Sequence, residues 1–310
     1  MTETDPAPLP APPANPRRLV FLGTPDMAVP PFEALCDAGF DVALVVTGAD
    51  KRRGRRSEPT ATPVKLAALA RQIPVSHDVQ DALAVGADLG VVVAYGSILR
   101  RPVLEALPMV NLHFSLLPRW RGAAPVERAI LAGDERTGVC VMAVEEGLDT
   151  GGVYACNEVA IRRTSTAVEL GTQLSQIGAG LLVTTLREGL GTPEPQVGEA
   201  TYAAKIGPAD LRLDWTGTAA DAVRVVRVGG AWTTFRDKRL KVHAARAWPD
   251  DGTARAPGEI DGDRVATSSG LVQLIEVQPE GRGQVPFAAW ANGARPAPGE
   301  RLGESPETSP

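Results

Sequence analysis

Long apolar runs are missing from this sequence, and none approaches the ~20 residues that a membrane-crossing helix needs. Cysteine is scarce, with three residues in 310, at Cys36, Cys140 and Cys156. They share no CxxC or metal-like spacing, and each sits among apolar neighbours. That pattern predicts buried thiols in a reducing compartment, without a disulfide framework or a zinc cluster. Positive charge is also short: 32 Lys and Arg against 37 Asp and Glu leave a net charge of −5. Any contact with a polyanion must therefore come from a local patch, because the global field repels it. The GxGxxG fingerprint and its acidic ribose reader are absent, as are a P-loop and a serine nucleophile elbow. Those absences remove the usual signatures of dehydrogenases, nucleotide triphosphatases and serine hydrolases. The opening MTETDPAPLPAPPANP lacks a basic start and an apolar core, so it is not read as a signal peptide. Residues 1–17 are expected to be a disordered leader, 303–310 a disordered tail, and the protein cytoplasmic.

What is present is an ordinary globular composition, 44% hydrophobic and 22% charged. Its order is that of an α/β fold. RLVFLG at Arg18–Gly23 reads as a short buried strand ending on glycine, and the apolar spacing of Ala28–Ala38 predicts a helix. Asp41–Thr47 and Asp88–Tyr95 are β-branched runs, the second continuous in apolar character as a strand covered on both faces should be. Further strands are expected at Val110–Phe114, Gly138–Val144 and Gly152–Ile161. Helices are expected at Pro63–Arg71, Ala124–Ala132 and Thr166–Glu188. This alternation predicts a mostly parallel sheet with helices on both faces, over residues 18–189. Ligands of such sheets sit at strand carboxyl ends, and Gly23, Thr47, Tyr95, His113 and Glu145–Asp149 are all expected there. A Pro- and Gly-containing linker follows at 190–207. Beyond it, a helix at Ala219–Val228 and short runs at Trp232–Phe235, Leu240–Ala244, Arg264–Thr267 and Leu271–Val277 suggest a small β-barrel over 208–302.

Chemistry concentrates in two places. Asn111 and His113 lie two apart on an expected strand, which puts an amide and an imidazole on one face. Asp149, in a GLDTG turn, is the carboxylate available to orient that imidazole. Together with the SLLPRWRG loop they make a plausible acyl-transfer centre. The plainer alternative is a core histidine bonded to backbone and an Asp capping its own turn. His77 and His243 read as structural or surface residues. The second place is Lys51, Arg52, Arg53, Arg55 and Arg56 around Gly54. Five cations in six positions form either a solvated loop or a polyanion-binding arm, and its setting after a strand in an acidic protein favours the arm.

FLGTPDMAVPPFEAL, VVVAYGSIL, NLHFSLLPRWRGAAPVERAI and GLDTG together resemble the folate-dependent formyltransferases. The GTPD turn, TYAAKI and LRLDW resemble the branch acting on methionine-charged initiator tRNA. The resemblance implies a Rossmann-like domain followed by an OB-like β-barrel, with 10-formyltetrahydrofolate as co-substrate, no metal, and a monomer. It implies Asn111, His113 and Asp149 as the catalytic trio, and Ser115, Leu116, Leu117 and Pro118 as the folate-contacting loop. It further implies a basic loop at Asp50–Lys65 that reaches the tRNA, with Arg55 at its key position. Two departures stand out. Phe114 occupies a place where relatives commonly carry a small residue, and Arg224–Thr234 lacks an Asn-Pro-Trp segment. Formyltransferases for sugar nucleotides or glycinamide ribonucleotide, 10-formyltetrahydrofolate hydrolases, and a tRNA-binding protein without activity remain alternatives.

Overall fold

The computed structural model describes residues 9–52, 58–250 and 252–304. Two compact units share the chain. One is drawn from the segments up to Val126, Arg136–Ala160 and Leu170–Ala204, and the other from Glu127–Glu135, Ile161–Glu169 and the chain from Lys205 onward. The first unit is built on a seven-stranded sheet. Its strands are β1 (Arg18–Gly23), β2 (Asp41–Val46), β3 (Val75–Ser76), β4 (Leu89–Val93), β5 (Met109–His113), β6 (Arg136–Ala143) and β7 (Val153–Ala160). They lie in the order β7-β6-β5-β4-β1-β2-β3. Pairings from β3 through to β5 are parallel, and β6 runs antiparallel to both β5 and β7.

The period of two explains how the sheet is covered. Phe21 points to one face and meets Phe32 of helix α1 (Val29–Asp37), ring centroids 5.3 Å apart. Val20 and Leu22 point to the other and join Leu44, Val46, Val103 and Leu104 in a buried cluster. Every residue of β4 is buried, as its continuous apolar run requires. Helix α2 (Pro63–Ala70) starts with proline, and Thr62 caps it by accepting from the Lys65 amide at 3.2 Å. Helices α3 (Arg101–Ala106), α4 (Pro125–Ala132, most of it belonging to the other unit) and α5 (Ala167–Glu188) follow, the last opened by reciprocal bonds between Thr166 and Glu169. Gly178 lets α5 sit against Leu112, since a Cβ there would lie 2.9 Å from its Cδ2.

The expectation for cysteine needs correction. Cys140 and Cys156 face each other in the β6-β7 register and form a disulfide. Their separation of 16 residues carries no signal of this, because only the antiparallel pairing brings them side by side. Cys36 is unpaired and half-buried, and burial pushes its thiol up.

The second unit holds α6 (Ala219–Val228), β8 (Trp232–Phe235), β9 (Lys238–Trp248), β10 (Ile260–Asp261), β11 (Arg264–Ala266), β12 (Leu271–Pro279), β13 (Val285–Pro286) and α7 (Phe287–Ala294). Its sheet is antiparallel, in the order β8-β9-β12-β11-β10, with β13 against β12. A capping box between Thr218 and Asp221 starts α6. Leu213, Trp215, Val226, Val272, Phe287 and Trp290 are among the residues closing its core. Helix α7 was hidden by its small residues, but Phe287 and Trp290, one turn apart, bury its inner face. Strand β9 is longer than expected because its outward positions are polar and it is bent by irregular register near Ala244.

Candidate active site

Asn111 and His113 project from one face at the end of β5, and His113 is 5% exposed. Asp149 meets both. Its Oδ1 accepts from Asn111 Nδ2 at 3.3 Å, and its Oδ2 stands 3.7 Å from His113 Nδ1. The same Oδ2 accepts from the Gly122 amide at 2.8 Å, so the carboxylate also holds the end of the SLLPRWRG loop. The imidazole's close contact is elsewhere: Nε2 lies 2.8 Å from the Trp120 carbonyl. That oxygen can only accept, so it fixes a proton on Nε2 and leaves Nδ1 facing the carboxylate. The tautomer is thus set by backbone, and Asp149 is placed to stabilise charge on the ring.

The expected strand ends lie along this edge of the sheet, with one correction. Gly23, Tyr95 and His113 lie at or just beyond carboxyl ends of parallel strands, as does Thr47, whose carbonyl meets His77 Nδ1 at 3.0 Å. Strand β6 instead runs antiparallel, with Ala143 opposite Val110, so its carboxyl end lies beside the start of β5. The segment after it must fold back to deliver Asp149. Gly151 makes that possible, because a Cβ there would stand 2.0 Å from the Ala143 carbonyl. Asp149 itself takes a left-handed backbone (φ 51°), as do Ala94 (φ 47°) and Trp120 (φ 62°). Non-glycine residues in that region cost energy and collect where surrounding structure holds a site in place.

The loop after β5 is built tightly. Ser115 is fully buried and donates to the Arg119 carbonyl at 2.6 Å. Leu116 packs over Gly138 of β6, where an added Cβ would come within 2.4 Å of its Cδ2. The Leu117–Pro118 peptide is cis. Arg119 lies over the Trp120 ring at 4.5 Å. Phe114 is 4% exposed. Burial pushes the Tyr95 phenol up, and the charge of Asp78 adds to this.

Residues that sequence reasoning passed over complete the arrangement. Arg121 pairs through both Nε (3.0 Å) and Nη2 (2.7 Å) with Gln196 Oε1. A cavity of about 320 Å³ opens beside them, its lining including Glu145 and Thr150. Gln196 stands in a PEPQVGE stretch whose composition says only loop. Of the basic arm, Lys51 and Arg52 are exposed and pair antiparallel with Pro59 and Thr60. Lys65 binds Asp50 at 2.7 Å at the base of that arm. Arg53, Arg55 and Arg56 lie outside the described residues.

Comparison with known proteins gives the family of both parts of the chain. Residues 17–186 match the family described as formyl transferase, and residues 205–295 match the formyl transferase C-terminal domain. A methionyl-tRNA formyltransferase of Heliobacterium modesticaldum is 41% identical over 92% of this chain and all of its own length. Among solved structures, a methionyl-tRNA formyltransferase from Clostridium thermocellum superposes with a TM-score of 0.54 at 16% identity, over 76% of this chain and 95% of its own. HypX from Aquifex aeolicus, crystallised with tetrahydrofolic acid, gives 0.63 at 17% identity over 90% of this chain, which spans about half (47%) of HypX. With both halves of that architecture present in order, and a relative of this identity matched end to end, the chain belongs to the methionyl-tRNA formyltransferases.

Proposed function

We propose that the chain moves a formyl group from 10-formyltetrahydrofolate to the α-amine of methionine esterified to initiator tRNA. The observation that carries this reading is the convergence of Asn111, His113 and Asp149 within hydrogen-bonding or near-contact distance at the end of β5. Bound donor would supply a formyl carbon on a nitrogen leaving group, and the amine is the nucleophile, so no protein nucleophile is required. An α-amine titrates near ~7.7–8.0, which leaves a neutral fraction at cellular pH. Asn111 gives one amide hydrogen to Asp149 and has a second for the oxyanion that develops at the carbonyl. Losing such a donor typically costs about 3–4 kcal/mol of barrier. His113, with its proton held on Nε2, presents Nδ1 as the base that takes the amine proton and returns it to N10 as the bond between N10 and the formyl carbon breaks. The Asp149 carboxylate, 3.7 Å away, stabilises the imidazolium. Ser115, Leu116, Leu117 and Pro118 are assigned to the donor pocket. The internal Ser115 bond and the seat of Leu116 on Gly138 suit a rigid wall for a flat ring system.

For the tRNA, the reading assigns phosphate contacts to Lys51, Arg52, Arg53, Arg55 and Arg56. In the second unit, proposed as an OB-like barrel over residues 208–302, Arg212 and Arg239 lie over Trp232, and Arg246 and Arg264 over Trp248. Such cation-aromatic surfaces suit RNA backbone and exposed bases. The protein is taken to work as a cytoplasmic monomer. Purified protein, methionine-charged initiator tRNA and 10-formyltetrahydrofolate should yield formylmethionyl-tRNA. Formylation of an amino-sugar nucleotide with none of charged tRNA would overturn the reading. Replacing Lys51 and Arg52 with Ala should lower the salt slope of tRNA binding by about one per lost phosphate contact.

A further inference from the structure

The stretch 190–204 joins the first unit through a run of backbone pairings. Val153 and Glu194 exchange both hydrogen bonds, at 2.8 and 2.9 Å. Tyr202 and Ala203 pair in parallel with Arg121 and Gly122. Thr201 accepts from the Arg121 amide through its carbonyl and from the Trp120 amide through its hydroxyl, both at 2.9 Å. This chain therefore forms a strap across the loop that carries the Trp120 carbonyl and the Gly122 amide.

Gln196 occupies the centre of the strap. Its Nε2 donates to two carbonyls, Asp149 and Gly151, each at 2.8 Å. Its Oε1 accepts twice from Arg121. A primary amide has two donors and two acceptor sites, and all four are used. One side chain thus clamps both carbonyls flanking Thr150 to the loop on the far side of Asp149. The Asp149 carboxylate completes the ring by accepting from Gly122, the residue next to Arg121.

The geometry points to Gln196 as a positioning residue: it holds the left-handed Asp149 turn, and through it the Asp149 carboxylate, in register with Asn111 and His113. It rests on the assignment of those three residues to formyl transfer. Removing the clamp frees a turn that already sits in an unfavourable backbone region (φ 51°). A displacement of ~1 Å in such a group can cost up to ~100-fold in rate. Binding surfaces for donor and tRNA would remain.

The test compares wild type, Gln196→Ala and Gln196→Glu in formylation of charged initiator tRNA, alongside thermal unfolding. Gln196→Ala should lower kcat by about ten- to hundredfold with KM for both substrates near wild type. Gln196→Glu keeps an acceptor for Arg121 but turns the two donors toward Asp149 and Gly151 into an oxygen. It should be as impaired as the Ala variant. Near-normal kcat in either variant would overturn the proposal, and normal kcat in Gln196→Glu alone would place the role in Arg121. A second readout needs no substrate: the ring nitrogens of His113, one of three histidines, followed by ¹⁵N NMR with His77 and His243 as internal references. Gln196→Ala should shift the His113 signals as Asp149→Asn does, and unchanged signals would overturn the clamp. Should wild type fail to formylate charged tRNA, the functional reading falls, while the NMR comparison still decides the positioning role.

Discussion

Replacing Asp149 with Asn should perturb both the fold and the chemistry, by amounts that two assays read separately. The carboxylate is 14% exposed and uses both oxygens: Oδ2 takes the Gly122 amide at 2.8 Å, and Oδ1 takes Asn111 Nδ2 at 3.3 Å. Asparagine keeps one acceptor and aims an NH₂ at the other donor. One charge-assisted bond is lost and a donor faces a donor, which should cost about 1.5–3 kcal/mol of stability. The catalytic loss has a different origin. His113 Nδ1 would have no negative charge at 3.7 Å to stabilise it once protonated. The equivalent change in a Ser-His-Asp triad, where contact is direct, costs ~10⁴ in kcat. The longer separation here argues for a smaller effect, about 10²–10³ in kcat, or ~2.7–4.1 kcal/mol of barrier. Urea unfolding gives the first quantity and single-turnover formylation the second. A variant destabilised as expected but turning over within about fivefold of wild type would refute the assignment of charge stabilisation to Asp149.

Three further outcomes follow from the structure. Gly138→Ala places a Cβ 2.4 Å from both the Asn157 carbonyl and Leu116 Cδ2. It should destabilise by about 1–3 kcal/mol and raise KM for the folate donor, read by unfolding and steady-state kinetics. Phe287→Ala, at a side chain 1% exposed in the second unit, should cost about 3–5 kcal/mol in urea unfolding. Stability should also fall in acid. Amides of Arg18 and Arg17 hold Asp88 below the usual carboxylate range, the Arg128 guanidinium and the Gly207 amide do so for Asp210, and the Thr218 hydroxyl chiefly does so for Asp221. Folded values lie below unfolded ones, so this stabilisation is present above about pH 4 and is lost as pH falls further. Asp88→Asn should flatten that acid limb, and an unchanged limb in a pH series of urea unfolding would contradict it.

The order of elements was legible because local physics writes it. The β-branched run of β4 and the alternation around Phe21 state their burial without any knowledge of neighbours. The period of two likewise places Asn111 and His113 on one face, and glycines mark the GLDTG turn. Local pattern does not contain strand direction or long-range register. The antiparallel course of β6 decides that Cys140 meets Cys156 and that the chain must fold back to present Asp149. Nor does any local signal distinguish Gln196 from a loop residue, since its four partners lie at Asp149, Gly151 and Arg121, separated from it by 45 to 75 positions. Side-chain types and short spacings therefore marked an amide, an imidazole and a carboxylate as candidates for one site. Their distances, the proton on His113 and the clamp on Asp149 were decided only by tertiary structure, because a hydrogen bond depends on ångström-scale approach between segments remote in sequence.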